Sequence, residues 1–372
     1  MKKSFLIVII AVLVYLTGCH DSQYVIKQTD KNLKYRYAMN WYLKRNYYEV
    51  IPVIEDLMPY FKGTDTAERL YFMLADCYFF NKEYMVAAYH YKTFRDLYPR
   101  SYKAEVASYK IAECYRNDVP RIELEQTDTE KAIEYYKSFI SEYPKSPMVE
   151  IAYQQIEKLK RNLELKALSS ANLYFQTSNY RAAAVSYKNV IAQYPNIKEY
   201  EELFYKIGIS YYKFAEKSIV SKQSERYETA MNEGQNFINR FPNSKYRPEI
   251  ETIIESAKVK ILESALKNAN SYFNLDERPF YYNQSLDLFN EFSPEIKKMP
   301  ATLASFKNKC YLGIIRTHFY LLEDAKDAQA KKTKYQNFLD NYYKLVDKFS
   351  AKSKELEEAE ELFKKVNQYY KS

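Results

Sequence analysis

Residues 94–101 read FRDLYPRS, and near copies return as FISEYPKS at 139–146, VIAQYPNI at 190–197 and FINRFPNS at 237–244. The prolines of these four segments, Pro99, Pro144, Pro195 and Pro242, lie 45, 51 and 47 residues apart. A segment that recurs at a period of about 40 to 50 residues marks a repeat architecture, and that reading takes precedence over every other. A small residue, Ala87, Ala132, Ala183 or Ala230, stands 12 positions before each proline. The constant interval describes one helix of fixed length that starts on a close contact and stops at Pro.

The second unit is the clearest. Tyr71, Leu74, Ala75 and Tyr78 are followed by Ala87, Tyr91 and Pro99. Large residues three and four apart form one buried helix face. The small Ala75 and Ala87 let two antiparallel helices approach, and the segment NKEY at 81–84 reads as the turn between them. Pro99 ends the second helix, and Ser101 is expected to cap the next one. The pattern resembles the tetratricopeptide (TPR) repeat. It recurs as Ser108, Ile111, Ala112 and Tyr115 with Ala132, Tyr136 and Pro144, then as Tyr174 with Ala183, Tyr187 and Pro195. The fifth unit has Phe204, Ile207, Gly208 and Tyr211 with Ala230 and Pro242, and a weaker first unit covers about 31–61. At the third joint, Ser146-Pro147 suits an N-cap followed by the first helical position.

The last third repeats an earlier part. ALSSANLYF at 167 returns as ALKNANSYF at 265, an offset of 98 residues. Beyond it Tyr211, Tyr227 and Phe241 meet Phe319, Tyr335 and Phe349 at an offset of 108, with an insertion near SPEIKKMPAT. The predicted fold is therefore all-α: a TPR-like superhelical solenoid of about seven helical hairpins plus a capping helix. The final segment, from Lys354 to Tyr370, carries Leu356, Ala359, Leu362, Phe363, Val366 and Tyr369 on one stripe and charge on the other, as a terminal cap requires.

Composition agrees. The chain has 372 residues, of which only 5 are Gly, so a sheet with many tight turns is excluded in favour of helices joined by short polar turns. Tyr numbers 41 and Phe 21. The formal charge of +8 is mild, and the bases are interspersed with acids. That describes a solvated helical surface, and no nucleic-acid partner is expected.

The N-terminus, MKKSFLIVIIAVLVYLTGC, has a basic start at Lys2 and Lys3, an apolar run from Phe5 to Leu16, and small residues before Cys19. This is the form of a secretory signal peptide, too short for a comfortable membrane span. Its ending, Leu16-Thr17-Gly18-Cys19, resembles the bacterial lipobox, which implies removal of residues 1–18 and lipidation of Cys19. Residues 19–29 read as a polar tether, 30–245 as five TPR-like repeats and 246–372 as a helical extension with duplicated repeats. Cys77, Cys114 and Cys310 fit no zinc spacing. Buried thiols are expected, with a Cys77–Cys114 bridge as the alternative.

No catalytic constellation stands out. The three histidines, His20, His90 and His318, sit in unrelated contexts, and no HExxH, P-loop or dinucleotide fingerprint is present. The expected role is binding, not catalysis, with no cofactor beyond acyl lipid on Cys19. Aligning Tyr78 with position eleven of the TPR consensus puts Phe72, Asp76 and Phe79 on the concave face. The same register in the next unit gives Tyr109, Glu113 and Arg116. Aromatics beside charges suit an extended peptide with aromatic side chains and a charged end. The other reading of Phe72 and Phe79 is packing against neighbouring helices.

A lipobox followed by five TPR hairpins resembles the BamD-type outer-membrane assembly lipoproteins. Further details carry the likeness. The loop RIELEQTDTEKAIEYYKSFISEYPKS at 121 contains Glu125-Gln126-Thr127, similar to the family's acidic-Gln-Thr motif. A long first helix opens the fourth repeat, about 147–177, and SERYETAMNEGQNFINRFPNSKY closes the fifth. The match spans about 20–258; the remaining residues depart from it. The resemblance implies a lipid-anchored protein on the periplasmic face of the outer membrane. Its implied partners are a BamA-type barrel protein, other assembly subunits and unfolded outer-membrane proteins. A TPR scaffold lipoprotein of another envelope complex, in division, secretion or gliding, shares the helical pattern.

Overall fold

The computed structural model describes residues 21–370. Every regular element among them is helical. After a short α1 (Asp21–Ile26), seven antiparallel hairpins follow in sequence. They are α2 (Lys31–Leu43) with α3 (Tyr47–Leu57), α4 (Asp65–Phe80) with α5 (Tyr84–Leu97), and α6 (Ala104–Asn117) with α7 (Thr127–Glu142). Next come α8 (Val149–Gln176) with α9 (Tyr180–Gln193), and α10 (Tyr200–Glu216) with α11 (Val220–Arg240). The last two are α12 (Arg247–Ser271) with α13 (Arg278–Phe292), and α14 (Phe306–Glu323) with α15 (Ala328–Leu345), before the closing α16 (Lys354–Tyr370). The protein is thus all-α and TPR-like, with the hairpin number and closing helix the periodicity predicts. The chain divides into two compact units, Met1–Ser169 and Ser170–Ser372.

The repeat logic is steric. Ala87, Ala132, Ala183 and Ala230, the residues 12 before each proline, are all fully buried, as are Ala75 and Ala112 on the partner helices. Large rings fill the space beside them: Tyr91, Tyr136 and Tyr187 are among the largest completely buried side chains. Burying a ring of this size contributes roughly 1.5–3 kcal/mol.

The hairpin turns explain how so few glycines suffice. In the second hairpin the Lys82 N–H donates to the Phe79 carbonyl and the Glu83 N–H to the Tyr78 carbonyl, both at 3.0 Å. This is the Schellman closure, which needs a left-handed residue at the position Lys82 holds. Its φ is 66°, and Arg45 (64°) and Ser178 (63°) stand at the same place in the first and fourth hairpins. Each is an L residue where Gly is the unstrained choice.

The joints correct one expectation. Ser101, Ser146 and Ser244 do not cap helices. Each accepts a hydrogen bond from the amide two residues on, Lys103 (3.0 Å), Met148 (3.1 Å) and Tyr246 (3.0 Å). The helices start one residue later still, at Ala104, Val149 and Arg247. These serines shape a turn ahead of the helix, and Pro147 lies in that turn, because the chain must reverse direction before the next helix can start.

The stretch after Cys19 also differs from a free tether. Residues 21–26 form α1, and Val25 is buried in a cluster with Val50, Val53, Ile54 and Leu57 of α3. An apolar Val-Ile pair is enough to fold a short helix onto a waiting surface. Cys19 and His20 lie outside the described residues.

The helices α8 and α12 start at Val149 and Arg247, the same 98-residue offset that the sequence shows, and α9 and α13 start at Tyr180 and Arg278. Residues 293–303, where the insertion falls, form two 3-10 turns, Ser293–Glu295 and Ala301–Leu303. Ile296 and Leu303 are buried beneath them, Glu295 pairs with the buried Lys258, and Thr302 donates to Glu263 (2.7 Å). On α16, Ala359 and Val366 are fully buried on the stripe expected to face the repeats.

Candidate functional site

The six residues assigned to a groove divide by burial. Phe72 is only 8 % exposed; its ring meets Tyr91 and Phe94 edge-on, with centroids 5.7 and 5.2 Å apart, and the Lys103 amine lies 4.6 Å from its centroid. Asp76 is buried too, accepting from the Tyr42 hydroxyl (2.8 Å) and the Tyr91 hydroxyl. These two face the interior instead of a groove. The reason is the setting of α4, which is buried from Leu70 through Cys77 on nearly every face except at Tyr71. A register drawn for one exposed face does not hold on such a helix.

The equivalent group on α6 is Tyr109, Glu113 and Arg116. The Arg116 guanidinium donates to both Glu113 oxygens (3.0 and 2.7 Å), and the Tyr136 hydroxyl donates to the same carboxylate. Burial acts to raise the Glu113 pKa, but the bonds from Arg116 and Tyr136 outweigh it and hold the group below the usual carboxylate value. The Tyr109 ring sits edge-on to Tyr136 and Phe139. The charges of this cluster are therefore used on one another.

A repeated device emerges. A tyrosine on the second helix of a hairpin donates to a polar side chain on the first: Tyr91 to Asp76, Tyr136 to Glu113, Tyr187 to Asn172 (2.8 Å) and Tyr282 to Asn270 (2.7 Å). Tyr suits the place because its ring fills the core while its hydroxyl satisfies a buried acceptor. Part of the high Tyr content is thus structural. Burial, then the Asp76 charge, pushes the Tyr91 phenol far above its ordinary range.

The open aromatic surface of the first unit lies beside these positions, at the turn end of the hairpins. Tyr47 stacks on Phe80 at 4.7 Å, Phe80 meets Phe79 at 5.6 Å, and Phe79 meets Tyr84 at 5.7 Å. The Lys110 amine of α6 stands 3.9 Å from the Phe79 ring centroid and 5.6 Å from that of Phe80. Phe79 is half-buried in this shelf; Phe80 is 46 % exposed. Of the six groove residues, Phe79 alone joins it. Phe80, Tyr47 and Lys110 escaped the sequence register, although the double aromatic directly before the NKEY turn was a readable sign. A ring shelf under one cation can stack an aromatic side chain and attract an anionic group.

The Glu125-Gln126-Thr127 motif builds a loop. The Gln126 amide donates to the carbonyls of Arg121 (2.9 Å) and Leu124 (3.1 Å) and accepts from the Thr129 hydroxyl (2.7 Å). Gln126 is buried, and Thr127 is the first residue of α7. The side chain thus closes the approach to the helix.

A cleft of about 600 Å³ opens elsewhere in the unit, with Met58, Tyr71, Leu74 and Leu97 in its wall and Lys62 and His90 among its polar groups. His90 stacks flat on Tyr78, 5.0 Å between centroids, and Tyr78 donates to Glu55 (3.1 Å). Cys77, Cys114 and Cys310 are buried free thiols, so the bridge is not formed. Burial pushes each to about 12, with Asp76 adding to the rise at Cys77. Among the described residues no helix is long and apolar enough to cross a membrane.

Stacked helical hairpins, small residues at the crossings and a shelf of rings define a repeat protein of the protein-binding scaffold class. The family profile described as "YfiO: Outer membrane lipoprotein" matches residues 27–217 and 188–279. The chain belongs to this family of outer membrane lipoproteins, which places it at the cell envelope. No curated protein matches it. Among solved structures it is similar to the TPR2AB domain:pHSP90 complex of yeast Sti1, at 14 % identity and a TM-score of 0.33 over 75 % of this chain and 98 % of that one. It is also similar to a tetratricopeptide repeat protein from Parabacteroides merdae, at 11 % identity and a TM-score of 0.26 over 90 % and 98 %. A third is the C-terminal part of a TPR repeat-containing protein from Cytophaga hutchinsonii, at 13 % identity and a TM-score of 0.24 over 87 % and 98 %.

Proposed function

We propose that this chain is a lipid-anchored, non-catalytic scaffold and receptor subunit of the outer-membrane β-barrel assembly machinery. The observation that carries the reading is the family match from residue 27 to residue 279. In this reading Cys19 bears the lipid, and the protein stands on the periplasmic face of the outer membrane. It binds a BamA-type barrel protein and other assembly subunits, and it holds segments of unfolded outer-membrane proteins. The shelf of Phe80, Phe79, Tyr47 and Tyr84 stacks an aromatic side chain of that segment, and Lys110 attracts its carboxylate.

The mechanism is positioning. An extended segment is held by stacking and charge until it passes to the barrel protein, and no covalent step is needed. Burying one aromatic anchor is worth about 1.5–3 kcal/mol, so its loss weakens binding at least about tenfold. Labelled peptides ending in an aromatic residue are expected to bind the wild type, and Phe80→Ala weakens them by that factor with an unchanged melt. Lys110→Gln weakens them less, and mainly at low salt. Equal affinity of Phe80→Ala and wild type removes the shelf from the site. Depletion in cells tests the wider role, since loss of an assembly subunit lowers many outer-membrane barrels together. Barrels left at normal abundance would assign the scaffold to another envelope complex.

A further inference from the structure

The segment from α1 through α2, bounded by the acids Asp21 and Glu49, carries an excess of bases. Residues 22–48 hold six bases, Lys27, Lys31, Lys34, Arg36, Lys44 and Arg45, against one acid, Asp30. Two of these seven groups are engaged structurally: Lys34 is buried against Asp56 at 2.6 Å, and the Asp30 carboxylate accepts from the amides of Asn32 (2.8 Å) and Leu33 (3.3 Å), capping α2. The other five bases are exposed. Lys31 lies over the Tyr60 ring at 4.1 Å, and no ion pair to any of the five is found among the described residues.

Their arrangement is directional. Arg36, Asn40, Leu43 and Lys44 follow the i, i+4, i+7, i+8 spacing of one helix stripe; the first three are exposed on α2 and Lys44, its C-cap, is exposed as well. Arg45 turns the chain, and Tyr48 lies in the first turn of α3 at the same exposed end. Leu43 is 75 % exposed and Tyr48 73 %. The end of a repeat array must be polar to stay soluble, but solubility asks neither for one sign of charge nor for bare Leu and Tyr. The helix that closes the chain, α16, shows the ordinary solution, with Glu355, Glu357, Glu358, Glu360 and Glu361 alongside Lys354, Lys364 and Lys365.

Chain length selects the occupant. α1 starts at Asp21, two residues after Cys19, and Val25 ties α1 to α3. Two residues reach at most about 7 Å, less than the roughly 8–10 Å Debye length at physiological salt. A lipid on Cys19 therefore brings the start of α1, which packs on α3 of the first hairpin, within that range of the headgroups. We infer that the first hairpin docks on an anionic phospholipid surface, with Arg36, Lys44 and Arg45 at the phosphates and Leu43 and Tyr48 at the headgroup–acyl boundary. Cations on one face with an apolar residue between them have the chemistry of an interfacial helix. The docking fixes the orientation of the first hairpin on the bilayer. It rests on the lipid anchor proposed at Cys19.

The test uses the full lipoprotein in vesicles of phosphatidylcholine, with or without phosphatidylglycerol. An environment-sensitive fluorophore is attached at Leu43→Cys, or at Tyr102→Cys as a control; Tyr102 is 82 % exposed. The buried native thiols do not compete for label. Doxyl-lipid quenching is expected at 43 and not at 102, only with phosphatidylglycerol, and reduced by high salt. Each cation near an anionic surface is worth about a fivefold change in partition, so Arg36→Gln, Lys44→Gln and Arg45→Gln together lower the docked-to-free ratio by about a hundredfold. Co-flotation with the vesicles reports the anchor separately. Protein that floats with label 43 unquenched overturns the docking alone, and protein that does not float overturns the anchor and the docking together. Quenching at 43 that ignores lipid charge, or shielding that appears only when a barrel protein is added, also overturns it.

Discussion

The hydroxyl of Tyr91 is the most exacting test of the repeated tyrosine contact. Tyr91→Phe keeps the ring, which is fully buried, and removes only the donor to Asp76. A hydrogen bond to a charged group contributes roughly 1.5–3 kcal/mol. The Tyr42 hydroxyl, at 2.8 Å, still serves the carboxylate, so the lower half of that range is expected, about 1.5–2 kcal/mol. Asp76→Ala should cost more, because it leaves the buried Tyr91 hydroxyl and the part-buried Tyr42 hydroxyl without their acceptor. The pair should couple by about 1–2 kcal/mol in a double-mutant cycle. The assay is urea denaturation followed by Trp41, the single tryptophan, which lies on α2 in the adjacent hairpin. The phenol supplies a second signature. Its folded pKa is raised above the usual 10.0 by burial and then by Asp76, so its contribution is complete below pH 10 and is lost as pH rises and the unfolded chain ionises. Tyr91→Phe should lessen the alkaline loss of stability. A neutral Tyr91→Phe, or a coupling below about 0.5 kcal/mol, would show that the contact is geometric only.

Three further outcomes follow from the packing. Ala87→Leu overpacks a fully buried helix crossing and should cost about 1–3 kcal/mol in a thermal melt. Lys82→Gly removes the left-handed strain at φ 66° and should stabilise by about 0.5–1 kcal/mol, the part of the 1–2 kcal/mol penalty that unfolded-state glycine entropy leaves; a lower melting temperature contradicts the Schellman assignment. Burial and then Lys334 lower the pKa of His318 below the usual 6.5, so its contribution to stability is complete above that pH and is lost on acidification as the unfolded chain takes the proton. His318→Gln should flatten the slope of melting temperature against pH between neutrality and mild acid.

What the sequence determined by itself was local or periodic. The Pro99, Pro144, Pro195 and Pro242 spacing set the repeat, because a proline stops a helix without help from any distant residue. Ala87 and its counterparts marked the crossings, because contact distance between helices depends directly on side-chain size. The 98-residue echo of ALSSANLYF is the same offset that separates the starts of α8 and α12 and of α9 and α13. The orientation of α4 needed tertiary packing: with helices against several faces, Phe72 and Asp76 turned inward where a one-face register had put them in a groove. The exposed shelf depended equally on partners far apart in sequence, since Tyr47, Phe80 and Lys110 come from α3, α4 and α6. The residues after Cys19 read as polar tether in isolation, and Val25 became a core residue only because α3 offered an apolar surface to receive it. Periodicity and stop signals are encoded residue by residue, whereas burial on a helix depends on how many neighbours it acquires.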